Sequence, residues 1–300
     1  MVKKPLISKI QRYSTKDGPG IRTTVFFVGC NLLCPWCSNP ELIGRQRKIL
    51  HYNSKCQRCG RCVKVGKGAV TLSETGISID RANCDNYEEI SASCPYEAYE
   101  IIGHYYQAQE LVDELLKDEV FFKESKGGVS FSGGEAALYP EYLEEVANIL
   151  KKRHIHLVLD TAGQWQFSSL KTLLAAIDIV LYDIKAFDNS LHKRLLGMDN
   201  ELIIKNLHSL VKMKKEVIMR LPLIPGVNDD LDDIKQRLAL ANELQLKQVD
   251  ILYYHNLGQA KYKALGLDYP LANTGFCSEE FKNEVAALAK TYNFKTTFSE

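Results

Sequence analysis

Residues 23–37 read Thr23-Thr-Val-Phe-Phe-Val-Gly-Cys30-Asn-Leu-Leu-Cys34-Pro-Trp-Cys37, a β-branched and aromatic run ending in three cysteines spaced C-x3-C-x2-C. The run predicts a first strand, Thr23 to Val28, that delivers Cys30, Cys34 and Cys37 at its end. Three thiolates this close can each ligate one iron of a four-iron, four-sulfur (4Fe-4S) cube, and the missing fourth cysteine leaves one iron open to a small molecule. Clusters that only pass electrons usually have four cysteines, and a structural zinc would want a fourth soft ligand nearby. The triplet therefore favours a reactive cluster.

Downstream, strands and helices alternate. Strands are expected at Gly128 to Ser132, Ile155 to Leu159, Ile179 to Asp183, Val217 to Leu221 and Gln248 to Tyr253. Helices are expected at Gln107 to Phe122, Glu141 to Lys151, Ser168 to Ala176, 200–213, Asp230 to Leu244 and Glu279 to Thr291. Repeated units of this length argue for an α/β fold with a parallel barrel or sheet, a doubly wound sheet being the alternative at this level.

Composition narrows the function. The formal net charge is +1, from 38 basic and 37 acidic side chains, so nothing points to nucleic acid or an anionic membrane surface. No stretch approaches the roughly 20 apolar residues of a membrane span, and Gly18-Pro19-Gly20 is neither a dinucleotide fingerprint nor a Walker loop. Nine cysteines, mostly in triplets, read as metal ligands in a reducing compartment, which gives a cytoplasmic expectation.

Residues 48–101 interrupt the rhythm with Cys56-x2-Cys59-x2-Cys62, then Cys84 and Cys94-Pro95. The ferredoxin run C-x2-C-x2-C-x3-C-P sends its fourth cysteine to the other cluster of a pair. Here Gly66, Tyr87 and Ile90 stand where a second cube would need thiolates, whereas Cys56, Cys59, Cys62 and Cys94 complete the first. One auxiliary 4Fe-4S cluster with Cys84 an orphan is the expectation; the same four thiolates would also suit zinc. Cys277 is expected to be a core or surface thiol.

Residues 17–37, opening Asp17-Gly-Pro-Gly-Ile-Arg22, resemble the radical S-adenosylmethionine (SAM) glycyl-radical-enzyme activating enzymes, those similar to pyruvate formate-lyase activase. The resemblance continues through Ser38-Asn-Pro-Glu41, Ser132-Gly-Gly-Glu135, Asp160-Thr161, Tyr182-Asp-Ile-Lys185, Arg220 to Asn228 and Tyr254-His-Asn-Leu-Gly258, nearly the whole chain. It implies an open partial (β/α)6 TIM-like barrel from residues 1–47 and 102–300, with a ferredoxin-like insert at 48–101. It implies SAM on the unique iron of the Cys30/Cys34/Cys37 cluster, reductive cleavage to a 5'-deoxyadenosyl radical, and hydrogen abstraction from a backbone glycine of a large glycyl radical enzyme. Gly133, Gly134, Glu135, Lys185, Arg220, His255 and Asn39 are implied SAM contacts, and Asp160, Thr161 and Asp183 a monovalent-cation site. Asp17, Gly18, Gly20 and Arg22 are implied to lie where the partner's glycine loop approaches. Ala136 departs from the family's Gly-Gly-Glu-Pro without removing a polar contact. A flavodoxin or ferredoxin-type electron donor and a chain that is monomeric on its own complete the expectation. A radical SAM enzyme acting directly on a small molecule or peptide is the alternative. A plain electron-transfer protein accounts poorly for the three-cysteine site.

Overall fold

A computed structural model describes residues 4–299. The chain opens with β1 (Leu6–Ser14) and β2 (Arg22–Phe27). Between β3 (Lys48–His51) and β6 (Tyr99–Ile102) lie α1 (Arg61–Val65), β4 (Val70–Ser73), β5 (Gly76–Ile79) and α2 (Tyr87–Ala92). After β7 (His104–Tyr105) come α3 (Ala108–Leu116), α4 (Glu119–Ser125), β8 (Gly128–Gly133), α5 (Pro140–Lys152), β9 (His156–Thr161), α6 (Phe167–Ala176) and β10 (Ile179–Asp183). The chain continues through α7 (Asn189–Leu196), α8 (Glu201–Lys212), β11 (Glu216–Leu223), α9 (Leu231–Glu243), β12 (Gln248–Tyr253), α10 (Gln259–Leu265), α11 (Glu279–Ala289) and β13 (Lys295–Ser299).

Nine strands form one mixed sheet in the order β13-β12-β11-β10-β9-β8-β2-β1-β7. From β2 to β13 every neighbouring pair is parallel, whereas β1 runs antiparallel to both β2 and β7. The ends, β13 and β7, do not pair, so the sheet stays open, as in a partial barrel.

Period-2 alternation gives the parallel strands two apolar faces. Leu157, Leu159, Val180, Tyr182, Val217, Met219 and Leu221 pack under the helices, with Leu143, Leu173, Leu207 and Leu238 above them. Val158, Ile179, Leu181 and Ile218 form a separate cluster on the inner face. Truncating one of the outer leucines to alanine would cost about 2–5 kcal/mol. Parallel strands share one direction, so their C-terminal ends gather side chains from distant parts of the chain at one rim.

The helix expected over Gln107 to Phe122 is two helices. Asp118 leaves the helical region (φ −103°, ψ 10°) because its buried carboxylate accepts from Arg12 Nη1 at 2.7 Å and Thr23 Oγ1 at 2.6 Å. Two tertiary bonds to the first strands outweigh local helix propensity there.

Candidate active site

Cys30, Cys34 and Cys37 follow β2 and line one cavity of about 950 Å³ that runs along the inner face of the sheet, the three cysteines lying at its C-terminal end. Their loop is tied down by buried Leu32 and by Asn31 Nδ2, which donates to the Gln164 carbonyl at 2.6 Å. Gly134 packs on its other side. A Cβ there would stand 2.2 Å from the Gly29 carbonyl oxygen and 3.2 Å from Cys30 Cβ, so only glycine lets the two segments close. Burial pushes the Cys30 thiol up to about 12 and those of Cys34 and Cys37 to about 11, with Lys185 opposing the shift at each. Thiolates in that wall call for a cationic centre to neutralise them, and three unbridged soft donors beside a roomy cavity fit a cube that has one iron free. Among the described residues no three Cys, His, Asp or Glu side chains group around a single-ion position; the thiolates of a cube belong to different irons.

The opposite wall comes from β9, β10 and β11. Asp183 and Arg220 are register partners on adjacent strands, and Arg220 Nε donates to Asp183 Oδ1 at 2.7 Å while Nη2 bonds Asp160. Ser132 Oγ donates to the other oxygen of Asp160 at 2.7 Å, and Lys185 Nζ to Asp183 Oδ2 at 2.7 Å. Burial and the neighbouring Asp183 carboxylate raise the Asp160 carboxyl against the pull of Arg220. Burial would raise Asp183 as well, but Arg220 and Lys185 outweigh it and hold that carboxyl below its usual value. Burial works against the charge of Lys185, yet Asp183 keeps the ammonium firmly protonated. Two carboxylates and two cations thus balance in a buried quartet, with Arg220 supplying the positive charge that Asp160 and Asp183 share.

Gly133, Gly134, Asn39 and His255 line the same cavity, as do Asp17 and Gly18. Glu135 does not: its carboxylate is buried behind the wall, accepting from Thr161 Oγ1 at 2.9 Å, Ala162 N at 3.0 Å and Ala137 N at 3.1 Å. Burial raises that carboxyl to about 7 despite the three donors. The Thr161 hydroxyl is turned to Glu135, away from the two aspartates. Arg22 is wholly buried, its guanidinium donating to Ser130 Oγ at 2.7 Å, Val129 O at 2.6 Å and Pro19 O at 3.1 Å, so it braces the opening segment from behind. Gly20, too, stays out of the cavity wall, and a Cβ on it would strike the backbone of Gly127. Trp36 and Tyr254, which the motif reading passed over, line the cavity beside Cys37 and His255. Both sit within or next to quoted motifs, and aromatic character was the available signal.

In residues 48–102 the two antiparallel pairs β3/β6 and β4/β5 carry a small apolar cluster of their own. Cys56, Cys59, Cys62 and Cys94 line one small cleft together with Tyr96 and Tyr99; Cys84 does not line it. Cys84 is packed with Val70, Tyr87 and Ile90, and a Cβ on Gly66 would lie 2.7 Å from that of Val70. Apolar side chains fill the ground where a second cube's ligands would stand. Cys277 is a buried core thiol whose Sγ donates to the Leu223 carbonyl at 3.7 Å.

Residues 83–238, just over half the chain, match the family model described as the Radical SAM superfamily. The chain is also 36% identical to the trans-4-hydroxy-L-proline dehydratase activating enzyme of Clostridioides difficile, over 97% of this chain and 98% of that protein. The chain belongs to the radical SAM activating enzymes. This activating enzyme is likewise 35% identical to the choline trimethylamine-lyase activating enzyme of Oleidesulfovibrio alaskensis, over 97% of each. A radical SAM methyltransferase from Sphaerobacter thermophilus shares its fold, with a TM-score of 0.53 over 99% of this chain and 77% of that one at 15% identity. As a member of its family, the activating enzyme generates a radical that activates a glycyl radical enzyme. No helix among the described residues is long and apolar enough to cross a membrane.

Proposed function

We propose that the chain reductively cleaves SAM in the strand-end cavity and directs the product radical to one backbone glycine of a large glycyl radical enzyme. One observation carries this reading: Cys30, Cys34 and Cys37 form one wall of the cavity whose other wall holds Lys185 and Arg220. Cys30, Cys34 and Cys37 would hold a 4Fe-4S cluster there, whose chemistry would be one-electron reduction of the SAM sulfonium, with the C5'–S bond breaking to give methionine and a 5'-deoxyadenosyl radical. Hydrogen abstraction from the glycine α-carbon would then leave 5'-deoxyadenosine and a radical delocalised over two peptide groups.

The chain's residues bind and orient. Lys185 and Arg220 complement the SAM carboxylate; Gly133 and Gly134 admit its amino end close to the backbone; His255 and Asn39 flank the adenosyl portion. Burial holds the His255 imidazole below its ordinary pKa, which keeps it neutral. Glu135 acts behind this wall by fixing Thr161 and Ala162. For a monovalent cation beside SAM, Asp160 and Asp183 remain the oxygen donors. Asp17 and Gly18 shape the partner's approach, with Arg22 as their brace.

We read residues 1–47 and 102–300 as an open (β/α)6 TIM-like barrel and 48–101 as a ferredoxin-like insert holding one auxiliary 4Fe-4S cluster on Cys56, Cys59, Cys62 and Cys94. The shared cleft and the separate apolar cluster support this reading. A flavodoxin or ferredoxin-type donor, a monomeric chain and a cytoplasmic setting complete it. The test is anaerobic reconstitution with SAM and a strong reductant, measuring 5'-deoxyadenosine, followed by electron paramagnetic resonance of a co-expressed lyase for its glycyl radical. A reconstituted protein that leaves SAM intact would refute the reading.

A further inference from the structure

Helix α10 touches both cysteine regions. At its N-terminal end Gly258 lies so close to the triplet loop that a Cβ would stand 2.6 Å from the Cys37 carbonyl oxygen and 3.1 Å from Ser38 Cα. One turn later Lys261 Nζ donates to Asn39 Oδ1 at 2.6 Å and to Glu41 Oε1 at 2.5 Å, and the Glu41 side chain is 4% exposed. Three residues before Gly258, His255 lines the cavity. At the other end of α10, Arg81 reaches over from the segment between β5 and Cys84. Its Nη2 donates to the Ala264 carbonyl at 2.8 Å, and its Nε to the Ile49 carbonyl of β3 at 3.0 Å. The last carbonyls of a helix lack partners within it, and a cation there is favourable. One half-buried guanidinium therefore ties the insert's β3 to the end of α10, while the start of α10 is wedged against Cys37.

We propose that Arg81 is a positioning residue for SAM binding, acting through α10: it fixes the helix, and the helix fixes Asn39, His255 and the backbone of Cys37. The proposal rests on the reading of the strand-end cavity as the SAM site. Through this contact the insert sets the geometry of that site mechanically, independently of any electron it passes.

The test uses the full-length reconstituted protein and three variants, Arg81→Ala, Arg81→Lys and Arg47→Ala. Arg47 makes a different cross-link, to Glu88 and to the Gly103 carbonyl, and does not bond α10. Iron content, SAM affinity and hydrogen exchange of residues 255–266 without SAM are measured on each. Arg81→Ala is expected to weaken SAM binding roughly five- to tenfold, within the usual span of coupling between sites, and to speed exchange in 255–266 with iron content unchanged. Arg81→Lys, able to hold one of the two carbonyls, should fall between it and the parent. Arg47→Ala should match the parent. If Arg81→Ala loses iron, Arg81→Lys with full iron decides in its place. Parental SAM affinity and parental exchange in the iron-replete Arg81 variant would overturn the proposal, as would an equal effect of Arg47→Ala. A parent protein that binds no SAM would instead strike the site reading, and the exchange comparison would still decide the role of Arg81.

Discussion

The two cysteine regions use the same donor atoms at nearly the same spacing and surround them differently. The triplet of Cys30, Cys34 and Cys37 sits on a loop held by a large sheet and faces a cavity of about 950 Å³. The quartet of Cys56, Cys59, Cys62 and Cys94 closes on a small cleft in a segment whose own core is nine buried residues, Cys62 among them. Donor spacing says that metal can bind. The space left beyond the donors says whether a substrate can bind too. By that measure the first region leaves room for a substrate and the second does not.

The sharpest break comes from deleting donors. Replacing Cys34 by alanine should take 5'-deoxyadenosine formation to background, while the triple Cys30/Cys34/Cys37→Ala protein stays folded and keeps about four of about eight irons. Loss of the sheet fold in that triple variant, followed by circular dichroism, would erase the contrast. In the insert, Cys56→Ala or Cys94→Ala should lose the proposed auxiliary iron and open residues 56–62 to hydrogen exchange, because a metal held by those thiolates would be part of that core.

A smaller effect separates binding from assembly. Lys185→Met should weaken SAM binding by roughly ten- to hundredfold, the scale of one charge-assisted hydrogen bond in a buried site, with iron content intact; calorimetric titration reads it, and parental affinity would remove Lys185 from the site. A pH effect of comparable size is expected behind the reactive wall. The Glu135 carboxyl is raised to about 7 in the folded chain, so the folded state holds more protons than the unfolded one between about 4.5 and 7. Ionisation then works against folding, and stability should fall by up to about 3 kcal/mol as pH rises through that window. Glu135→Gln should flatten this slope in denaturant titrations at several pH values. The smallest effect belongs to Cys84→Ala, about 1 kcal/mol of lost packing with iron unchanged; iron loss there would make Cys84 a ligand.

The sequence showed the motifs and the strand-helix alternation well, because both are local. Cys30, Cys34 and Cys37, Gly133 and Gly134 at the end of β8 and Lys185 after β10 all line one cavity. What escaped was set by partners far away in the chain. Asp118 divides a helix because Arg12 and Thr23 claim its carboxylate. β1 and β13 gain their identity from pairing, and β13 is a half-exposed edge strand with no strong apolar pattern. Glu135 and Arg22 belong to quoted motifs, yet their side chains turn inward, Glu135 to Thr161 of another motif and Arg22 to Ser130, which no motif contains.

The unpaired ends of the sheet have a topological meaning. A closed barrel can be entered only through its two mouths. Between β13 and β7 there is no such closure, and the cavity is lined both by β13, through Thr297 and Phe298, and by Lys16 and Asp17 just past β1. If the glycine loop of the proposed partner uses this gap, it would enter from the side, still anchored at both ends to its own fold, and withdraw the same way.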